Sequence, residues 1–325
     1  MKEIKHKNIK VGYIGGFWTT NIGNSFYNLG ALYLLKKIFG EENVFFIPDP
    51  PQWFWDVKNN YDFISNIDLD IVFISGPCLN RKINKVYKNI FDNLKNKNTK
   101  IAFISAGSAE YTLAETNYVE NFLNDYKIEF IMTRDKKTYN FYKKKNIKIF
   151  DGLCTSMFLN DALNTIPLAD SRNYIIFNFA KYSEPLIERF KNKYLVKWRY
   201  FRKFQSSLDG LKIIRTNNTS FTRFKKFLFD RENIYYSDLP YGYISILKNA
   251  NLVFSDRVHT CACALIMGTK AMYIKSSKRA QDGRSNLFNR INAQSIFDQP
   301  TSLNFEFIND EKKKMERFLI DHFYG

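Results

Sequence analysis

The chain has 325 residues, 45% of them hydrophobic, with a formal net charge of +17 and a pI near 9.5. That length suits two domains of about 150 residues better than one small core, and the charge favours anionic partners: nucleic acid, an acidic membrane surface or phosphorylated substrates. No uninterrupted apolar run reaches the roughly 18 to 20 residues that cross a bilayer, and residues 1–5 lack the apolar segment of a secretory signal, so a cytoplasmic protein is expected.

Residues 9–14 read as a short strand, followed by a loop from Gly15 to Asn24 and a helix over 25–39 that stops at Gly40. Further strands are predicted at 44–47, 70–75, 100–105 and 128–133, separated by helices over 82–94 and 116–126. This alternation indicates a doubly wound parallel sheet. Arg134 and Asp135 close the strand 128–133 and open a lysine-rich helix; 147–150 is another strand, and 160–173, with Pro167 and small polar residues, reads as a linker. A second set begins at the strand 174–179. A long basic and aromatic helix is predicted over 185–204, then strands at 211–214 and 234–236, a helix over 241–248, a strand at 252–254, a helix after His259 ending at Gly268, and a strand at 271–274. The expected fold is α/β, two Rossmann-like domains in a glycosyltransferase-B-type arrangement: residues 1–165 on the acceptor side and 166–325 on the donor side. The last helix, 310–323, is placed to pack back on the N-terminal domain. The cleft then faces the carboxyl ends of both sheets.

Ser255-Asp256-Arg257-Val258-His259-Thr260 is the most informative stretch, because it joins the apolar run 252–254 to a small-residue helix. Arg257 and His259 therefore fall at a strand's carboxyl end and near a helix N-terminus, where free N–H groups favour an anion. His6 and His322 lie near the chain ends, which leaves His259 as the candidate for proton transfer. Lys275 and Arg279 follow the next strand and add cations. On the other side, Asn21, Asn24 and Ser25 in the first loop, Ser75 and Ser105 at strand ends, and Arg134 are candidates to line the cleft. Gly15, Gly16 and Gly23 lack the G-x-G-x-x-G spacing and no acidic residue closes a second strand, which excludes a nicotinamide cofactor. Cys78, Cys154, Cys261 and Cys263 have no C-x-x-C spacing, so buried thiols and no structural metal are expected.

These segments, Asn21-Ile22-Gly23-Asn24, Arg134-Asp135, Ser255 to His259, the helix ending at Gly268, and the strand 271–274 with Lys275 after it, resemble the polysaccharide pyruvyl transferase family. Asn24 stands where that family commonly has an acidic residue. The resemblance implies transfer of pyruvate from phosphoenolpyruvate, a co-substrate and not a bound cofactor, to two hydroxyls of a sugar, with release of phosphate. It places Arg257, Ser255, Thr260, Lys275 and Arg279 toward the donor and a protonated His259 as general acid. The acceptor would be a glycan or glycan-lipid precursor, with contact to the anionic inner face of the membrane. Two other readings stand beside it: a glycosyltransferase using a sugar nucleotide, and a basic nucleic-acid-binding protein. Against the second, the chain has no zinc knuckle, RNP-type strand or helix-turn-helix spacing.

Overall fold

The computed structural model describes residues 8–16, 21–49, 64, 66–179, 184–198, 205–218, 233–275 and 283–325. Its first sheet contains β1 (Val11–Gly16), β2 (Val44–Asp49), β3 (Ile71–Leu79), β4 (Lys100–Ser108), β5 (Ile128–Thr133) and β6 (Ile149–Asp151), all parallel in the order β2-β1-β3-β4-β5-β6. Continuous apolar runs such as Ile71 to Ile74 and Ile101 to Ile104 suit strands buried on both faces. Helix α1 (Gly23–Phe39) covers one face. Helices α2 (Ile83–Asn96), α3 (Leu113–Leu123) and α4 (Lys136–Tyr142) cover the other. After β6 a 3₁₀ turn (Thr155–Phe158) and the short α5 (Leu159–Ala162) pack beneath α1.

The second sheet runs β10-β11-β7-β12-β13, from β7 (Tyr174–Asn178), β10 (Ser207–Leu208), β11 (Leu211–Thr216), β12 (Leu252–Ser255) and β13 (Lys270–Tyr273); only β10 is antiparallel. One face carries α6 (Pro240–Lys248) and α7 (Val258–Ile266). These helices share a single apolar core with α1, the 3₁₀ turn and the last helix, α9 (Phe305–Tyr324), so the two sheets meet through buried side chains and not across a wet hinge. Helix α9 lies against the first sheet: Phe318 meets Phe130 edge-on at 5.1 Å, Phe323 meets Phe39 at 5.0 Å, and the Tyr324 hydroxyl donates to the Ile38 carbonyl at 3.2 Å.

The helix expected over 185–204 is a β-hairpin in its described part. Strands β8 (Leu186–Phe190) and β9 (Lys193–Lys197) pair antiparallel through a turn in which Lys191 takes φ 54°. The pattern has period 2: Ile187, Tyr194 and Val196 point one way onto the apolar outer face of the second sheet, where Tyr194 meets Phe254 at 5.1 Å, while Phe190, Lys193 and Leu195 point the other way. A helix would have kept Ile187 and Tyr194 on one side but turned Val196 to the opposite one. The strand expected at 234–236 is only an isolated bridge from Ile234 to Arg215. Residues 160–173 begin inside α5 rather than as open linker.

Candidate active site

Six loops converge at the facing carboxyl ends of the two sheets. Asn21 and Asn24 follow β1, Pro77 ends β3, Arg134 follows β5, Asn218 follows β11, Arg257, Val258 and His259 follow β12, and Arg284 and Leu287 follow β13; together they line one narrow pocket. A larger, shallower groove of about 690 Å³ lies on the outer face between α2 and α3. Its charges are satisfied locally, with Lys88 on Asp92 at 2.5 Å and the Tyr126 hydroxyl donating to Asp92 at 2.8 Å, so it exerts no comparable pull on an anion.

Arg134 is 2% exposed, and neither Nη1 nor Nη2 has a hydrogen-bond partner among the described residues. Its guanidinium lies so close over Gly107 that a Cβ there would sit 2.3 Å from Nε. Burial opposes its charge, but Tyr111 and Asp135 outweigh that and hold its pKa above the usual arginine value. A buried cation with open donors is costly unless a ligand completes it. Asp135 lies beside it, with Oδ2 3.9 Å from Arg134 Nε, and also caps α4 by accepting from the Thr138 amide at 2.8 Å and takes the Tyr111 hydroxyl at 3.2 Å.

His259 sits in the first turn of α7, whose leading N–H groups lack intrahelical acceptors. Its ring packs on Tyr27 of α1 at 5.3 Å, a contact between the two halves. Burial and the positive charges of Arg134, Arg284 and Arg257 push its pKa down to about 3. In the ligand-free protein the neutral imidazole is therefore favoured at pH 7, against the protonated form expected from the sequence.

Arg284 was not foreseen. It is delivered by Gly283, which packs so tightly on Tyr111 that a Cβ would meet the ring at 2.2 Å. Tyr111 itself holds φ 57°, and its amide is fixed by the buried Glu115 carboxylate at 2.9 Å. Asn218 was also missed, although it follows a strand end as Arg257 does. Its amide bonds the Thr260 hydroxyl at 2.9 Å, and its carbonyl accepts the Ile22 amide at 3.0 Å, tying the first loop to the second sheet.

Of the expected site residues, Asn21, Asn24, Arg134, Arg257 and His259 come together. Others are consumed by the fold. Ser255 donates to Asn178 at 2.8 Å and accepts the Arg257 amide at 2.9 Å, so it shapes the turn instead of facing the pocket. Thr260 belongs to the same buried network, with Asn178, Thr216, Asn218 and Tyr243. Ser25 donates to the Ile22 carbonyl at 2.6 Å, Ser75 bonds the Tyr13 hydroxyl at 2.5 Å, and Ser105 accepts the Thr155 amide at 3.0 Å. Small hydroxyl residues at strand ends satisfy backbone and buried polar groups first. Lys275 is exposed and outside the pocket lining, and Arg279 lies outside the described residues.

The fold is of the two-Rossmann, glycosyltransferase-B-like class. The model of the family described as polysaccharide pyruvyl transferase matches residues 21–278, and the chain belongs to that family. No curated protein matches it. Among solved structures it is similar to a UDP-N-acetylglucosamine 2-epimerase from Rickettsia bellii (11% identity, 96% of each chain covered, TM-score 0.51). It is also similar to the UDP-GlcNAc 2-epimerase from Methanocaldococcus jannaschii (12% identity, 96% of this chain and 100% of that one, TM-score 0.50) and to a functionally uncharacterised protein of Klebsiella pneumoniae (14%, 90% and 92%, TM-score 0.50). At these identities the likeness concerns the fold.

Proposed function

We propose that the chain transfers pyruvate from phosphoenolpyruvate to two hydroxyls of a sugar in a surface-polysaccharide or glycan-lipid precursor, on the cytoplasmic side of the membrane. The observation that carries this reading is Arg134, a buried guanidinium whose two terminal nitrogens have no partner among the described residues, facing a pocket that also contains Arg257, Arg284 and His259. Phosphoenolpyruvate brings a phosphate and a carboxylate, enough negative charge to occupy several guanidiniums through charge-assisted bonds.

Chemistry follows from the charge balance. The bound donor raises the pKa of His259 by opposing its cationic neighbours. The resulting imidazolium delivers a proton to C3 of the enol, and C2 becomes electrophilic. One sugar hydroxyl adds to C2 and gives up its proton. The C2–O bond to phosphate then breaks, and the second hydroxyl closes the ketal as its proton leaves. Of the two protons lost from the hydroxyls, one replaces the proton spent on C3 and the other leaves with phosphate. The arginines stabilise the charge on the departing phosphate.

The test is donor choice by calorimetry. Saturable binding of phosphoenolpyruvate supports the reading; saturation by a sugar nucleotide with no response to phosphoenolpyruvate would replace it with the glycosyltransferase alternative.

A further inference from the structure

Positive charge is unevenly distributed along the chain. Residues 181–235 carry fourteen Lys or Arg against five Asp or Glu, so 55 of the 325 residues hold nine of the seventeen net charges, together with twelve aromatic residues. The β8–β9 hairpin lies in this segment, and it covers the outer face of the second sheet where the first sheet has three helices.

Its inner face is committed to the fold. Besides the apolar contacts, Arg189 and Tyr194 both bond Asp209, at 3.4 and 2.6 Å. The outer face places Leu186, Glu188 and Phe190 beside Lys193, Leu195 and Lys197. Phe190 is 58% exposed, Leu195 42% and the adjacent Trp198 45%. Glu188, the hairpin's one acidic residue, is paired with Lys197, and the Lys191 ammonium lies 5.7 Å over the Phe190 ring.

Interleaved lysine and large apolar side chains are poorly suited to a protein interface, whose buried centre is depleted in lysine. They suit the headgroup region of a membrane, where rings and aliphatic groups enter the interface while lysine stems bend back to anionic phosphates. Nucleic acid would use the rings and charges but gain nothing from Leu186 and Leu195. Among the described residues no helix is long and apolar enough to cross a membrane, so attachment of the described part would be at the surface.

We propose that the outer face of the β8–β9 hairpin seats the protein on an anionic lipid bilayer. The inference shares no residue with the pocket and stands whether or not the pocket takes phosphoenolpyruvate.

Flotation of the full chain with phosphatidylcholine vesicles, and with phosphatidylcholine mixed with phosphatidylglycerol, tests it. Binding is expected only to the mixed vesicles and should fall as salt rises. The pair Lys191→Glu with Lys193→Glu, and separately the pair Phe190→Ala with Leu195→Ala, should each lower partitioning by about tenfold or more. Lys143→Glu with Lys144→Glu, the same charge change on exposed residues after α4, should have a clearly smaller effect. Unfolding midpoints and phosphoenolpyruvate binding, measured on the same preparations, should not change, so a failure of the pocket reading would leave the vesicle result intact. The proposal is overturned by absence of binding to mixed vesicles at low ionic strength, by hairpin variants no weaker than the Lys143/Lys144 control, or by a single-stranded oligonucleotide that displaces the vesicles through Lys191 and Lys193.

Discussion

The protein has two cationic regions built on opposite physical terms. In the pocket, Arg134 is buried with open donors and the other positive groups crowd a neutral histidine. On the hairpin, lysines stand in water beside exposed Phe190 and Leu195. Burying an incompletely bonded guanidinium costs several kcal/mol, whereas an exposed lysine costs little and is worth little alone. On the two proposed readings, burial, rather than the number of charges, separates a site for one small anion from a surface with diffuse attraction. Salt should therefore weaken vesicle binding steeply and donor binding much less.

Substituting His259, the proposed proton carrier, should have the largest effect. His259→Gln is expected to lower turnover by about 10²- to 10⁴-fold, while Arg257→Ala weakens phosphoenolpyruvate binding by about 2 to 4 kcal/mol. Steady-state kinetics read beside donor titration separate the two; normal turnover in a folded His259→Gln would make that side chain structural.

Next comes the Tyr111–Gly283 contact. Gly283→Ala must displace the segment that carries Arg284. Donor affinity should fall about tenfold, as in Arg284→Ala, and the double variant should be no worse than Arg284→Ala alone. Additive losses would mean that Gly283 does not act through Arg284.

The smallest effect concerns pH. Because the folded pKa of His259, about 3, lies below its ordinary 6.5, the unfolded chain binds the proton first. Its contribution makes stability fall as pH drops from 6.5 toward 3 and has no effect above that window. His259→Gln should flatten this part of the stability curve; an unchanged slope in chemical denaturation would show that the ring titrates normally.

The same contrast explains what was legible in the sequence. Arg257 and His259 were found because an apolar strand, a polar turn and a small-residue helix are local patterns, and Arg134 because it closes a strand in the same way. Asn218 obeys that rule too, two residues after the end of β11. Arg284 carries no local signal, since its place depends on a glycine packing against Tyr111 from the other half of the molecule. The serines and Thr260 were overvalued because their hydroxyls were needed inside the fold. The hairpin was mistaken for a helix because its density of lysine and aromatic residues drew more attention than the period-2 placement of Ile187, Tyr194 and Val196.

The central claim is that Arg134 is left open for a ligand. The most direct measurement is phosphoenolpyruvate calorimetry on the natural chain and on Arg134→Met, with the thermal unfolding midpoint of each. The Met variant should lose donor binding, and its midpoint should fall, because the buried Asp135 carboxylate loses the guanidinium whose Nε lies 3.9 Å away. A folded Met variant that binds phosphoenolpyruvate as the natural chain does would contradict the account.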